Sequence, residues 1–229
     1  EQPRRQADLA NRLAQRQLRR GDHAAALTAT LRAEQLARAA GDERLRAESL
    51  RLRGEVYEVQ GHFDQALSYV AQAGTIFRRY GYLSDEIAAM VGTGRIHLLR
   101  ANYEAARDAY RPVIDSLQRT ADPWLERIVR NHLAVIEMCL GNFSEARALA
   151  ERAIELCQRH GDRAREGDAL SVSARILSKV GLYDQAAPQF ASALEVLTRT
   201  ASRWSRTDCL IAAGTCDVRR GARTGMAKL

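Results

Sequence analysis

The chain has 229 residues, of which 46% are hydrophobic and only 6% aromatic, and it carries a net charge of +7 with a pI near 9.6. Four prolines exclude a Pro-rich or disordered class, and no apolar run approaches the roughly 18 residues that a bilayer span needs. No apolar stretch follows the basic start Glu1-Gln-Pro-Arg-Arg, so no signal peptide is read, and the first residue is not Met. The expectation is an excised or processed piece of a larger cytoplasmic protein.

Glycine punctuates the chain every twenty residues, at 21, 41, 61, 81, 141, 161, 181 and 221, and the missing slots hold Ala101, Ala121 and Ala201. A fixed period of this length marks a repeat architecture. Each segment carries apolar residues at helical spacing and no alternation of the strand type. In 143–160, for example, Phe143, Ala146, Leu149, Ala150, Ala153, Ile154 and Cys157 share one face. Each glycine then falls just past a helix end, where a left-handed cap is cheap only without a β-carbon. Asp42, Asp122 and Asp162 follow as N-caps, and Pro123 suits a first helical position.

In chain order this predicts helix pairs over 1–40, 41–80, 81–120, 121–160 and 161–200, then a helix over 201–220. Residues 222–229 are expected to be a truncated or disordered tail. Helices of about sixteen to eighteen residues should turn at the twenty-residue marks. Odd and even segments differ, so the unit is forty residues long. The even segments open on Phe63, Tyr103, Phe143 and Tyr183, placed as hydrophobic staples before polar caps, and Ala26, Ala66, Ala106, Ala146 and Ala186 recur behind them. The odd segments repeat a small residue at Ala14, Gly54, Gly94, Ala134, Ala174 and Gly214. Pro112 should kink its helix, and Pro188 should sit in a first turn. The last helix offers Leu210, Ile211 and Val218 with no partner after it. Gly74 and Gly167 have no repeat equivalent.

These residues resemble a known family. Leu50-x-x-Arg53-Gly54-x-x-Tyr57 followed by Ala66-x-x-x-Val70 is similar to the tetratricopeptide pattern, and Tyr110 and Phe190 take the slot of Val70. The resemblance covers about residues 1–221. The departures are a period of forty instead of thirty-four and the absence of Trp from the first slot. It implies an all-α, right-handed α-solenoid of about eleven antiparallel helices. Longer repeats of this kind resemble those of bacterial regulators and signalling proteins.

No catalytic constellation emerges from the sequence. The histidines 23, 62, 97, 132 and 160 form no H-E-x-x-H or H-x-x-x-H pair, which disfavours a metal. Gly92-Thr93-Gly94 lacks the G-K-[ST] of a phosphate loop. The four cysteines, 139, 157, 209 and 216, have no C-x-x-C spacing and are read as buried, inert thiols. No cofactor and no enzymatic activity are expected. Arginines cluster before the repeat glycines, where they favour the negative end of the helix dipole, so a nucleic-acid partner is disfavoured. Trp124 and Trp204, two repeats apart, read either as binding anchors or as covers over the preceding helix pair.

In the tetratricopeptide fold the first helix of each pair lines a concave groove. By resemblance the groove positions are Glu48, Arg51, Glu55 and Glu58, then Ala88, Val91, Arg95 and Leu98. They continue with Ile128, Asn131, Val135 and Met138, then Asp168, Ser171, Arg175 and Ser178. The partner-binding set is expected to be Arg51, Glu55, Val91, Arg95, Leu98, Asn131, Val135, Met138 and Arg175. Some of these can equally be core. The implied function is a non-catalytic scaffold that binds a peptide or protein. The alternative is a ligand-sensing or autoregulatory region of a bacterial transcription regulator or of a signalling enzyme such as a nucleotide cyclase, with a neighbouring domain as partner.

Overall fold

A computed structural model describes the backbone of residues 1–120, 122–200 and 203–226, and all their side chains except 118–120, 203, 204 and 223–226. Eleven helices fill the described residues, with no strand among them. They are α1 (Gln2–Arg20), α2 (His23–Ala39), α3 (Glu43–Val59), α4 (Phe63–Arg79), α5 (Leu83–Leu99), α6 (Tyr103–Thr120), α7 (Pro123–Leu140), α8 (Phe143–His160), α9 (Arg163–Lys179), α10 (Tyr183–Arg199) and α11 (Arg203–Met226). The periodic positions Ala121 and Ala201, the side chain of Trp204 and residues 227–229 of the expected tail lie outside the described residues.

The turns are as short as the period demands. At Gly61 the amide donates to the Glu58 carbonyl at 2.9 Å, and the His62 amide donates to the Tyr57 carbonyl at 2.8 Å. That double bond is the Schellman cap, and it needs the left-handed φ of +78° that Gly61 supplies. Seven periodic glycines take a positive φ, and Ala101 takes φ 58° in the slot where glycine is missing. Asp42, Asp122 and Asp162 cap the next helices, accepting from the amides of Leu45, Leu125 and Arg165 at 3.0, 3.2 and 3.3 Å. Asp22 does the same for Ala25 at 3.0 Å.

Three details differ from expectation. Phe63, Tyr103, Phe143 and Tyr183 are first helical residues; the caps are His62, Asn142 and Leu182 where described, so the aromatics pack inward from the first turn. Pro188 is the sixth residue of α10, past its first turn, and Pro112 lies deep in α6. Gly221 does not end α11, which continues as helix to Met226.

The chain divides into two compact units, Glu1–Ser116 and Leu117–Leu229. In the first, each helix from α1 to α5 packs on the next, and α3 also touches α1 and α5. Its core is Ala47, Leu50, Ala66, Val70, Ala73, Phe77, Ala89 and Ile96. In the second, α7 to α11 stack the same way, and α7, α9 and α11 touch in turn. Among its described residues are two clusters: Ala134, Met138, Ala146, Ala150, Val172 and Ile176, and Ala174, Leu177, Ala186, Phe190, Ala193, Leu197, Cys209 and Cys216. Alanine dominates because the helices approach closely. A β-carbon on Gly54 would stand 2.6 Å from Val70 Cγ2, and one on Gly94 2.5 Å from Tyr110 Cε2. Gly167 is explained likewise, by Leu197 at 2.8 Å; Gly74 meets only Ala89 Cβ at an ordinary 3.5 Å.

Candidate partner-binding faces of the odd helices

Arginine–carboxylate pairs stitch successive odd helices together. Arg4 meets Asp42 at 2.9 Å, Arg44 meets Asp85 at 2.8 Å, Arg127 meets Asp162 at 3.0 Å and Arg175 meets Asp208 at 3.2 Å. Much of the basic charge is therefore already paired within the chain, alongside last-turn arginines such as Arg19, Arg20, Arg78 and Arg79 at helix C-termini.

On the first unit, Arg51 of α3 donates to both oxygens of Glu48 at 2.7 and 2.8 Å and to Glu55 at 2.5 Å. Burial alone would lower the Arg51 pKa; Glu48 and Glu55 outweigh it and hold it above the ordinary arginine value. Arg95 of α5 donates to Glu58 at 2.7 Å and stands 3.9 Å from Glu55. Burial raises the Glu58 carboxyl above its usual range, against the opposing pull of Arg95. The expected residues Arg51, Glu55 and Arg95 thus form one network with Glu48 and Glu58, three carboxylates to two guanidiniums. Val91 and Leu98 are half-buried beside it on α5, and the Val91 carbonyl accepts the Tyr110 hydroxyl at 3.3 Å.

On the second unit the expectations divide. Met138 is only 3% exposed and packs with Ala134, Ala146, Ala150, Val172 and Ile176, so it is core and offers a partner no surface. Ile128, Ser171 and Ser178 are buried as well. Met138 is closed over by Ala146 and Ala150 of α8 and by Val172 and Ile176 of α9. Asn131 and Val135 are half-buried, and Asn131 Oδ1 is a buried acceptor without a hydrogen-bond partner. Arg175 is half-exposed and engaged with Asp208 of α11. Burial raises the Asp168 carboxyl, while a hydrogen bond with Ser205 opposes the shift.

Two apolar side chains were not assigned to the groove from sequence, although they stand in its register. Ile211 and Val218 lie 120 residues after Val91 and Leu98, and they are 67% and 74% exposed. Extending the forty-residue register to α11 would have found them. Trp124, in the first turn of α7, is 54% exposed, with the Arg165 guanidinium 5.6 Å from its ring centroid. One cysteine departs from expectation. Cys139 is exposed, whereas Cys157, Cys209 and Cys216 are buried. His97 takes the slot of Tyr57 and is half-buried; burial, then Arg100, lowers its pKa.

A stack of antiparallel helix pairs, with small residues at each pair's closest approach and capped two-residue turns, defines an all-α repeat scaffold. Comparison with known proteins agrees. Residues 125–199, which span α7 to α10, match the family model described as Tetratricopeptide repeat. The chain is similar in fold to a Rap protein solved with Competence and Sporulation Factor, at 15% identity and a TM-score of 0.78 over 97% of this chain and 66% of that one. It is similar to a signal-transduction ATPase with numerous domains and a tetratricopeptide repeat sensor from Pyrococcus horikoshii, at 16% identity and a TM-score of 0.77 over 90% and 32%. It is also similar to TPR-like repeats of a kinesin light chain from Podosopora anserina, at 16% identity and a TM-score of 0.69 over 88% and 99%. No curated protein matches the sequence. The tetratricopeptide resemblance therefore holds, in sequence over four helices and in fold along the chain, which spans about two thirds of the Rap protein and a third of the ATPase.

Proposed function

We propose that this chain is a non-catalytic scaffold that binds a peptide or partner protein on the faces of its odd helices, each unit presenting its own. The observation that supports this is the presence, in each unit, of half-buried or exposed apolar side chains beside committed ion pairs on the odd helices. Val91 and Leu98 on α5, Val135 on α7, and Ile211 and Val218 on α11 stand where no even helix of the chain covers them fully. Exposed apolar side chains in register suit an apolar partner surface. Arg95 and Arg175 reach a partner only by sharing it with Glu58 and Asp208, which gives the polar flanks orientation more than strength.

A second reading rests on the company the fold keeps. Two proteins of like fold are a Rap protein complexed with Competence and Sporulation Factor and a signal-transduction ATPase with a tetratricopeptide repeat sensor, and this chain spans only part of each. On that reading the repeats form a regulatory region of a larger bacterial, cytoplasmic protein and hold a neighbouring domain or sense a ligand.

The test is a pull-down from the host lysate with the chain and with its Leu98→Glu variant, followed by affinity measurement on the captured partner. A glutamate forces an apolar partner to desolvate a charge, so binding should fall by more than about tenfold. The melting temperature should stay near that of the parent. If the variant unfolds, Leu98 is core; if it binds normally, the partner uses another surface. A captured partner fused to this region in other chains would favour the regulatory reading.

A further inference from the structure

One face of α3 carries more acid than the chain around it neutralises. Glu48, Glu55 and Glu58 share only Arg51 and Arg95. Arg51 takes up both oxygens of Glu48. Glu55 is met at Oε1 alone, by Arg51 at 2.5 Å, with Arg95 3.9 Å away. Glu58 is met at Oε2 alone, by Arg95 at 2.7 Å. Among the described residues, Glu55 Oε2 and Glu58 Oε1 accept no hydrogen bond. The Glu58 side chain is only 7% exposed, so water is a poor substitute for the missing donor. Burial raises its carboxyl although Arg95 opposes the shift, as expected of a carboxylate short of positive charge.

This deficit is peculiar to α3. No other odd helix carries a carboxylate in either slot; α5, for instance, holds Arg95 and Leu98 there. The face is bounded on both sides within the first unit, because α3 packs on α1 and on α5. The chain as a whole is +7, but physiological salt screens charges beyond about 8 Å, so the local excess of one carboxylate decides what this face attracts. Apolar surface lies beside it. Val91 and Leu98 are half-buried on α5, one turn to either side of Arg95.

We propose that Glu55 and Glu58 form a binding site for the guanidinium of an arginine in a peptide ligand, with an apolar residue beside that arginine resting on Val91 and Leu98. Residues three apart on a helix are surface neighbours, so the two open oxygens lie within reach of one planar fork. A guanidinium offers such a pair parallel N–H donors, which the point charge of a lysine does not. The proposal rests on the scaffold reading above and names the chemistry of its partner.

The probes are two dipeptides, Nα-acetyl-leucyl-arginine amide and its citrulline counterpart, which keeps the shape and loses the charge. Each is titrated into the 229-residue chain with carbon-13-labelled glutamate, and the carboxyl signals are followed by NMR. The arginine probe should saturate, move the Glu55 and Glu58 signals, and bind at least about tenfold more tightly than the citrulline probe. Glu55→Gln should remove that preference at an unchanged melting temperature, since Glu55 is 28% exposed and glutamine keeps an acceptor for Arg51. Glu58→Gln is the second variant and should act alike. Asp64→Asn removes an 88% exposed carboxylate that pairs with Arg100, and it should leave the preference intact. Equal binding of the two probes, or a preference that survives both glutamine variants, overturns the arginine site and leaves an apolar face standing. Failure of either probe to saturate overturns it outright, as does loss of the preference in Asp64→Asn. Movement of the same carboxyl signals on diluting the chain alone would assign the arginine to a second copy and overturn the peptide assignment. The Leu98→Glu pull-down decides the wider scaffold reading separately.

Discussion

Gly94 and Tyr110 are fitted to each other: a β-carbon on Gly94 would lie 2.5 Å from Tyr110 Cε2 and 2.8 Å from Cδ2. Gly94→Ala must push the ring out of a fully buried site. Overpacking of this kind costs about 1–3 kcal/mol, and alanine's better helix propensity returns about 1. Urea unfolding should therefore show a net loss. Gly214→Ala meets no neighbour and should gain up to about 1 kcal/mol from propensity alone. Equal effects for the two variants would contradict the packing described here.

Ala101 holds φ 58° where seven other turns use glycine. A left-handed alanine carries a penalty of about 1–2 kcal/mol, offset in part by the smaller unfolded-state entropy of alanine. Ala101→Gly should raise stability by roughly 0.5–1 kcal/mol, and Gly61→Ala should lower it by a similar amount. Thermal melts of the two variants in one buffer decide the matter.

Glu58 gives the chain a pH dependence of defined sign. Its folded carboxyl titrates above the ordinary glutamate value because of burial, with Arg95 opposing. The folded state therefore holds this proton more tightly than the unfolded state. The resulting contribution is full below the usual glutamate pKa and is lost as pH rises through the higher folded value. The stability of the parent relative to Glu58→Gln should accordingly fall as pH rises across that window. A difference that grows with pH would mean that Arg95 dominates instead.

The cysteines sort by exposure. Burial pushes the Cys157 thiol up to about 11 and the Cys209 thiol upward as well, while Cys139 lies exposed. A thiol reagent at pH 8 should label Cys139 rapidly and the other three only when the chain unfolds. Loss of the fast phase in Cys139→Ser is the check.

The repeat was legible because it depends on backbone geometry that few residues satisfy. Gly61 and its counterparts declare the turns, and Gly54 and Gly94 declare the closest helix approaches. The groove was less legible. Met138 and Leu98 share a register position and an apolar side chain, yet one is core and the other half-exposed. That difference lies in what packs on each residue, α8 and α9 closing over Met138, which side-chain type alone does not encode. Arg95 was visible as a charge, but its commitment to Glu58 depends on the seam between α3 and α5. Gly167 looked unexplained because Leu197, which presses on it, lies thirty residues away.

Among α1 to α5, and among α7 to α11, no helix touches another more than two along the chain. Such connectivity leaves no distant pairing to be found during folding, and stability is passed from neighbour to neighbour. Each unit should therefore assemble fast and open helix by helix rather than all at once. Amide exchange within each unit should be graded from helix to helix rather than uniform.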